Sequence, residues 1–298
     1  MKINGIHIDD TFAEAFGMQG TRIVITADTA QWAKIAAETM TGFATSVIAC
    51  GVEAGIERLL PPEETPDGRP GAAVLLFAFS AELMTTAVRN RVGQCILTCP
   101  GTACYSGLDS DRKIPLGRAL RYFGDGWQVA KRLGDRRYWR IPVMEGEFLV
   151  EDQVGITDSI GGGNFLVLGR SRDAVREACE RAIVAMRKVT DVVMPFPGGV
   201  VRSGSKVGSR YPFLIASTND AFSPVLKGLP GSELGPEVAS VLEIVIDGLT
   251  ETAIATATTA GLRAILEGGV DSGVTRISAG NYGGNLGAYK FHLRELLK

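Results

Sequence analysis

The residues best suited to chemistry lie between Pro195 and Asp220, in the run PFPGGVVRSGSKVGSRYPFLIASTND. The run concentrates small, hydroxyl-bearing and cationic side chains and contains neither His nor Cys. Gly198, Gly199, Gly204 and Gly208 let a backbone approach a ligand closely. Ser203, Ser205, Ser209, Lys206 and the Ser217-Thr218-Asn219 stretch offer donors to carboxylate or carbonyl oxygens. That chemistry suits gripping a charged substrate and stabilising a developing oxyanion. The same composition also describes a surface loop with no ligand, and these residues alone leave both readings open.

A carboxyl candidate stands nearby in SVLEIVIDGL. Strand alternation puts Val241, Glu243, Val245 and Asp247 on one face and Leu242, Ile244 and Ile246 on the other. A carboxylate between two valines is desolvated, which raises its proton affinity toward neutrality and suits it to accept a proton. The pattern equally fits a half-exposed strand glutamate. Cys95, Cys99 and Cys104 lack the paired C-x-x-C form, and His7 and His292 lie far off in sequence, so no metal site is expected. Five cysteines, an odd number in a long chain, read as buried thiols of a reducing compartment rather than a disulfide scaffold.

The elements that must position these residues occur twice. A shift of 142 positions lays GIHIDDTF (Gly5 to Phe12) over EFLVEDQV (Glu147 to Val154), and RIVITADT (Arg22 to Thr29) over NFLVLGRS (Asn164 to Ser171). Thr29 and Ser171 then cap a helix in each copy. Trp32, Ile35, Ala36 and Met40 recur at helical spacing in the first, and Val175, Ala178, Cys179, Ala182, Ile183 and Met186 in the second. AAVLLFAF (Ala72 to Phe79) precedes a helix capped by Ser80, and ASVLEIVI (Ala239 to Ile246) one that starts near Thr250. Terminal strands at RYWRIPV (Arg137 to Val143) and TRISAGN (Thr275 to Asn281) complete a βαββαβ unit in each half. The expected fold is α+β, two duplicated ferredoxin-like lobes over residues 1–143 and 144–298. Long loops are expected at Gly51 to Gly71 and Thr98 to Arg136. Between Arg112 and Arg140 nine Lys or Arg residues face only Asp125 and Asp135, which reads as a solvated face or a docking surface.

With 298 residues, 45% of them hydrophobic, the chain can bury a large core. A net charge of -2 gives no basic face for nucleic acid, and aromatics at 7% provide no stacking surface. The N-terminus shows no signal peptide and no window approaches a membrane span, so a soluble, cytoplasmic protein is expected.

In order along the chain, the segments INGIHIDDTFAEAF (Ile3 to Phe16), TGFATSVI (Thr41 to Ile48), PPEETPDGRPG (Pro61 to Gly71), FGDG, GEFLVEDQVGIT, GGNF, PFPGG with SKVGS, ASTNDAF, EIVIDGL and ISAGNYGG (Ile277 to Gly284) resemble the formylmethanofuran:tetrahydromethanopterin formyltransferase family. The likeness spans essentially the whole chain. It implies reversible formyl transfer between the amine of methanofuran and N5 of tetrahydromethanopterin. The two carriers are co-substrates, no prosthetic group is needed, and the homo-oligomer, a dimer or tetramer, holds them in clefts between subunits.

The resemblance matches the family's acid/base glutamate to Glu243. It leaves Ser205, Lys206 and Ser209 for the oxyanion and the anionic tails, with Ser217, Thr218, Asn219 and Asp220 shaping the pocket. Glu63, Glu64 or Asp67 would meet the pterin's amino-pyrimidinone edge, although Pro66-Asp67-Gly68 also reads as a rigid turn. Near-neutral charge and the Arg-rich stretch look more like the version in methylotrophic bacteria, a subunit of a formyltransferase/hydrolase complex that oxidises C1 units toward formate. The rival reading is a non-catalytic scaffold subunit that keeps the fold, and Glu243 with the intact SKVGS and ASTND runs speaks against it.

Overall fold

The computed structural model describes residues 1–42 and 51–298; Cys50 and most of the TGFATSVI motif lie outside the described residues. The chain is a mixed α+β protein and packs as two compact units, residues 18–159 and residues 1–17 with 160–298. These units do not coincide with the sequence halves 1–143 and 144–298. Ile6–Ile8 pairs in parallel with Val274–Ser278, and Tyr289–His292 pairs with the start of the Phe12–Thr26 strand. Backbone pairing therefore carries the first seventeen residues into the unit built by the C-terminal half.

In the 18–159 unit the chain runs β1 (Phe12–Thr26), α1 (Ala30–Gly42), β2 (Glu53–Leu60), β3 (Gly71–Ala78), α2 (Ala81–Arg91) and β4 (Ala103–Ser106). The spatial order is β4-β1-β3-β2, antiparallel throughout. β3 reads GAAVLLFA and is buried at every residue, as a central strand beneath helices must be. Thr29 Oγ1 accepts from Trp32 N at 3.3 Å and Ser80 Oγ from Leu83 N at 3.3 Å, so both helices start at hydroxyl caps. In α1 the buried face is Ala33, Ala36, Ala37 and Met40; Trp32 is exposed, because alanines seat the helix closer to β3 than an indole would allow.

Three expectations change here. The fourth strand of the unit is Ala103–Ser106, whose small residues pair directly with β1, and Arg136–Val143 lies further out. The span Gly51 to Gly71 holds β2, which the eye misses because its register slips between Ile56 and Arg58 and breaks the alternation. Thr98 to Arg136 likewise contains β4 and the edge strand Val129–Leu133, which pairs with Arg136–Val143.

The other unit repeats the plan: β5 (Thr157–Gly169), α3 (Arg172–Met186), β6 (Val192–Val193), β7 (Ser240–Gly248), α4 (Glu251–Leu266) and β8 (Val274–Ser278). The order is β8-β5-β7-β6, again antiparallel. Ser171 and Thr250 cap their helices through Ala174 N and Ala253 N, each at 3.1 Å. α3 buries Val175, Ala178, Cys179, Ala182, Ile183 and Met186, the stripe its periodicity predicts. Phe165, Ile244 and Ile246 complete the core against it.

Candidate functional site

The Ser-rich segment is tied to β7 at Glu243. Val201 N donates to Glu243 O at 2.7 Å and Glu243 N to Val201 O at 2.9 Å, an isolated antiparallel bridge outside the regular strands. Across β7, Glu243 stands opposite Leu166 of β5. The bridge opens a cleft of about 110 Å³ lined by Arg202, Ser203, Gly204, Thr218 and Asn219 on one side and by Leu166, Val241, Leu242 and Glu243 on the other.

Alternation along β7 places the side chains as the sequence implies. Ile244 and Ile246 go into the core, while Val241, Glu243 and Val245 are partly buried on the other face. Asp247 continues that face into the interior, where it accepts from Gly162 N at 2.9 Å. Burial raises the Glu243 carboxyl to about 7. Such a group can exist in either protonation state near neutrality, which is what proton handling requires.

The hydroxyl-rich residues divide between bracing and lining. Lys206–Val207 and Ala216–Ser217 form a two-stranded ribbon with Lys206 opposite Ser217. Lys206 Nζ lies 2.6 Å from Asp220 Oδ2, and this hydrogen bond holds the Asp220 carboxyl below the usual range. Ser217 Oγ donates to Gly208 O at 2.7 Å and Ser209 Oγ accepts from Tyr211 N at 3.0 Å, so both hydroxyls hold the ribbon itself. Thr218 Oγ1 donates to Ser203 O at 3.3 Å across the cleft wall. Gly204 has φ +60°, and a Cβ there would lie 3.1 Å from Asn219 Cβ, so this glycine lets the two walls of the segment meet. Ser205 hydrogen-bonds the hydroxyl of Tyr282, whose phenol is pushed up by burial against that bond, with the charges of Glu243 and Glu14 adding to the rise.

Sequence reasoning assigned no role to Tyr282 or Arg202. Both sat in runs it quoted, ISAGNYGG and VVRSGSK, and the signal was a nearby glycine, Gly283 next to Tyr282 and Gly204 two positions after Arg202, rather than their residue type.

Glu63, Glu64 and Asp67 belong to the 18–159 unit. Glu64 pairs with Arg58 and Glu63 is exposed. Asp67 Oδ2 accepts from Thr26 Oγ1 at 2.8 Å, Tyr105 OH at 2.9 Å and Arg69 Nε at 2.9 Å. Burial works to raise the Asp67 carboxyl, but these donors outweigh it and leave it below the usual range. Asp67 thus serves as the pin of its turn. Among the other cysteines, burial pushes the Cys179 thiol up to about 12 and raises Cys104 further, so neither is a nucleophile at neutral pH.

A carboxyl poised near neutrality stands beside a hydroxyl-lined cleft on an α+β scaffold, an arrangement chemically suited to acid/base-assisted group transfer. Comparison with known proteins gives the family. The model of formylmethanofuran-tetrahydromethanopterin formyltransferase matches residues 1–143 and that of its proximal lobe matches residues 146–296. A relative named formylmethanofuran--tetrahydromethanopterin formyltransferase, from Methylobacillus flagellatus, is 60% identical over 100% of both chains. The structure is similar to the formyltransferase/hydrolase complex from Methylorubrum extorquens in complex with methylofuran, with TM-score 0.98 and 56% identity over 100% of this chain and 99% of that one. It is also similar to the formyltransferase from Methanosarcina barkeri, with TM-score 0.93 and 45% identity over 100% of both. The chain belongs to the formylmethanofuran-tetrahydromethanopterin formyltransferase family.

Proposed function

We propose that this enzyme moves a formyl group reversibly between the primary amine of methanofuran and N5 of tetrahydromethanopterin by direct attack of one carrier on the other, with Glu243 handling the proton. Family membership supports the reaction and its two substrates. The route rests on one observation: a Glu243 carboxyl raised to about 7 at the edge of the Ser-rich cleft.

The attacking nitrogen forms a C–N bond with its lone pair as the carbonyl π pair moves onto oxygen. Ionised Glu243 takes the proton that nitrogen must lose. Donors of the 202–219 segment, Arg202 and Ser203 among them, face the cleft where the oxyanion forms. Collapse restores C=O and expels the other nitrogen, which recovers the proton from Glu243. The acceptor nitrogen is itself the nucleophile, so no acyl-enzyme and no prosthetic group enter the scheme.

Glu243→Gln keeps the shape and removes the proton acceptor; the expected result is a fall in kcat of about 10²–10⁴-fold with KM for both carriers little changed. Full turnover of that variant across pH, or a covalent formyl adduct on the chain, would overturn the route.

The same reading extends to the rest of the molecule. The two βαββαβ sets of elements, each with strand order 4-1-3-2, are read as duplicated ferredoxin-like lobes, one set lying within residues 1–143 and the other within 144–298. Membership of the family supports a cytoplasmic homo-oligomer as part of the same reading. Among the described residues no helix is long and apolar enough to cross a membrane. The Methylorubrum extorquens relative is part of a formyltransferase/hydrolase complex, which supports hydrolase subunits as partners here.

A further inference from the structure

Glu14 is fully buried, yet its carboxylate is ionised by design of the backbone around it. Oε2 accepts from Tyr282 N at 2.7 Å and from Gly284 N at 2.9 Å; Oε1 accepts from Leu286 N and Gly287 N. Burial opposes the charge, but these four donors outweigh it and hold the carboxyl below the usual range. The loop reaches Glu14 only because of its glycines. Gly283 and Gly284 have φ of +80° and +73°, which turns successive N–H groups inward, and a Cβ on Gly287 would lie 2.8 Å from Glu14 Cγ. At its other end the loop is fixed by Asn164, whose Oδ1 accepts from Gly280 N at 2.6 Å and whose Nδ2 donates to Gly280 O at 3.2 Å.

Tyr282 stands between these two anchors. Its ring packs 6.0 Å from that of Phe16, its hydroxyl is held by Ser205, and it lies within electrostatic reach of Glu243. Charged and titratable groups around Glu243 are Asp247 further along the same face of β7, Arg202 on the facing segment and Tyr282 on this loop, with Glu14 behind it. What distinguishes Glu243 is loss of water rather than a bonded partner. Whatever shields it therefore sets its proton affinity.

We propose that Glu14 is a positioning residue for the transfer reaction: by folding residues 280–287 around its carboxylate, it keeps Tyr282 beside Glu243 and water away from that carboxyl. The proposal rests on the role given to Glu243 above. Glu14 itself touches no reacting atom. Its contribution is the burial that lets Glu243 exchange a proton near neutrality.

The test titrates Glu243 directly, by carboxyl-labelled glutamate NMR on the intact chain, with the resonance assigned by its loss in Glu243→Gln. Wild type should titrate near 7. Glu14→Gln, which cannot accept four N–H donors, and Tyr282→Ala should each lower the midpoint by about one pH unit, while Tyr282→Phe should stay within about 0.3 units. Turnover in the first two should fall about tenfold with carrier KM within about twofold. A folded Glu14→Gln with an unchanged midpoint overturns the proposal. If Glu14→Gln does not fold, an unchanged midpoint in Tyr282→Ala overturns it instead. The titration needs no carrier, so a chain that titrates as expected but transfers no formyl group would sink the functional reading, and with it the catalytic purpose given to Glu14, while the control of the Glu243 carboxyl by Glu14 would stand.

Discussion

At the scale of the residue, Glu243 links activity and stability through one property. Its carboxyl titrates near 4.5 when unfolded and about 7 when folded, so the native state binds the extra proton between those values. The neutral form is compatible with burial below pH 4.5; stability is lost as pH rises through 7, where the carboxyl ionises in place. Activity as a proton acceptor follows the opposite course and should rise through that midpoint. Replacing Glu243 with Gln should therefore stabilise the chain relative to wild type at pH 8 by about 1–3 kcal/mol more than at pH 4.5, a range discounted for the residue's partial exposure. Urea unfolding at the two pH values checks this, and a difference independent of pH would contradict the raised carboxyl. Glu243 was legible in the sequence because strand alternation is local, and its face could be read from five consecutive residues. Glu14 was not, because its carboxylate meets N–H groups 268 to 273 positions away and nothing in its own surroundings announces them.

At the scale of the element, the Ser-rich segment works as a folded ribbon whose sharpest point is Gly204. Substituting Gly204→Ala forces a side chain into a left-handed backbone and against Asn219, which should cost about 1–2 kcal/mol and open the cleft wall. Thermal unfolding should report the cost, and carrier KM should rise more than kcat falls. Breaking the half-exposed Lys206–Asp220 pair by Lys206→Met should leave thermal unfolding nearly unchanged, as expected of solvated ion pairs. An equal loss from both substitutions would show that the ribbon is held by charge rather than by backbone shape. Helices and their caps were readable because hydroxyl caps and apolar stripes are signals within one turn, and Ser80, Ser171 and Thr250 all cap as their positions imply. The strand Glu53–Leu60 was hidden by its bulge. The place of Arg136–Val143 was hidden for another reason, since lateral order in a sheet depends on pairing between distant segments that alternation cannot specify.

At the scale of the whole molecule, the Arg-rich stretch is no longer a uniform cationic field. Arg112, Arg118, Arg136 and Arg140 pair with Asp158, Asp152, Glu151 and Glu147, and Arg121 stacks over the Trp139 and Tyr122 rings. These five brace their own unit. Lys131 and Arg132 sit instead on Val129–Leu133, the edge strand at the end of the sheet, where every residue is exposed. Trp127 and Phe123 lie near it in sequence at 79% and 66% exposure, so large apolar side chains accompany a cationic edge. Charge on an edge strand protects against unwanted pairing, and the same charge selects an acidic partner when one is present. Docking of hydrolase subunits at this edge makes a sharp prediction. The double variant Lys131→Glu/Arg132→Glu should keep transfer by the isolated chain within about twofold while recovery of the assembled complex falls about tenfold, the loss growing as salt is lowered because reversed charges then repel an acidic surface more strongly. Unchanged recovery in co-purification would remove this edge as the docking surface and leave its lysine and arginine as guards against aggregation.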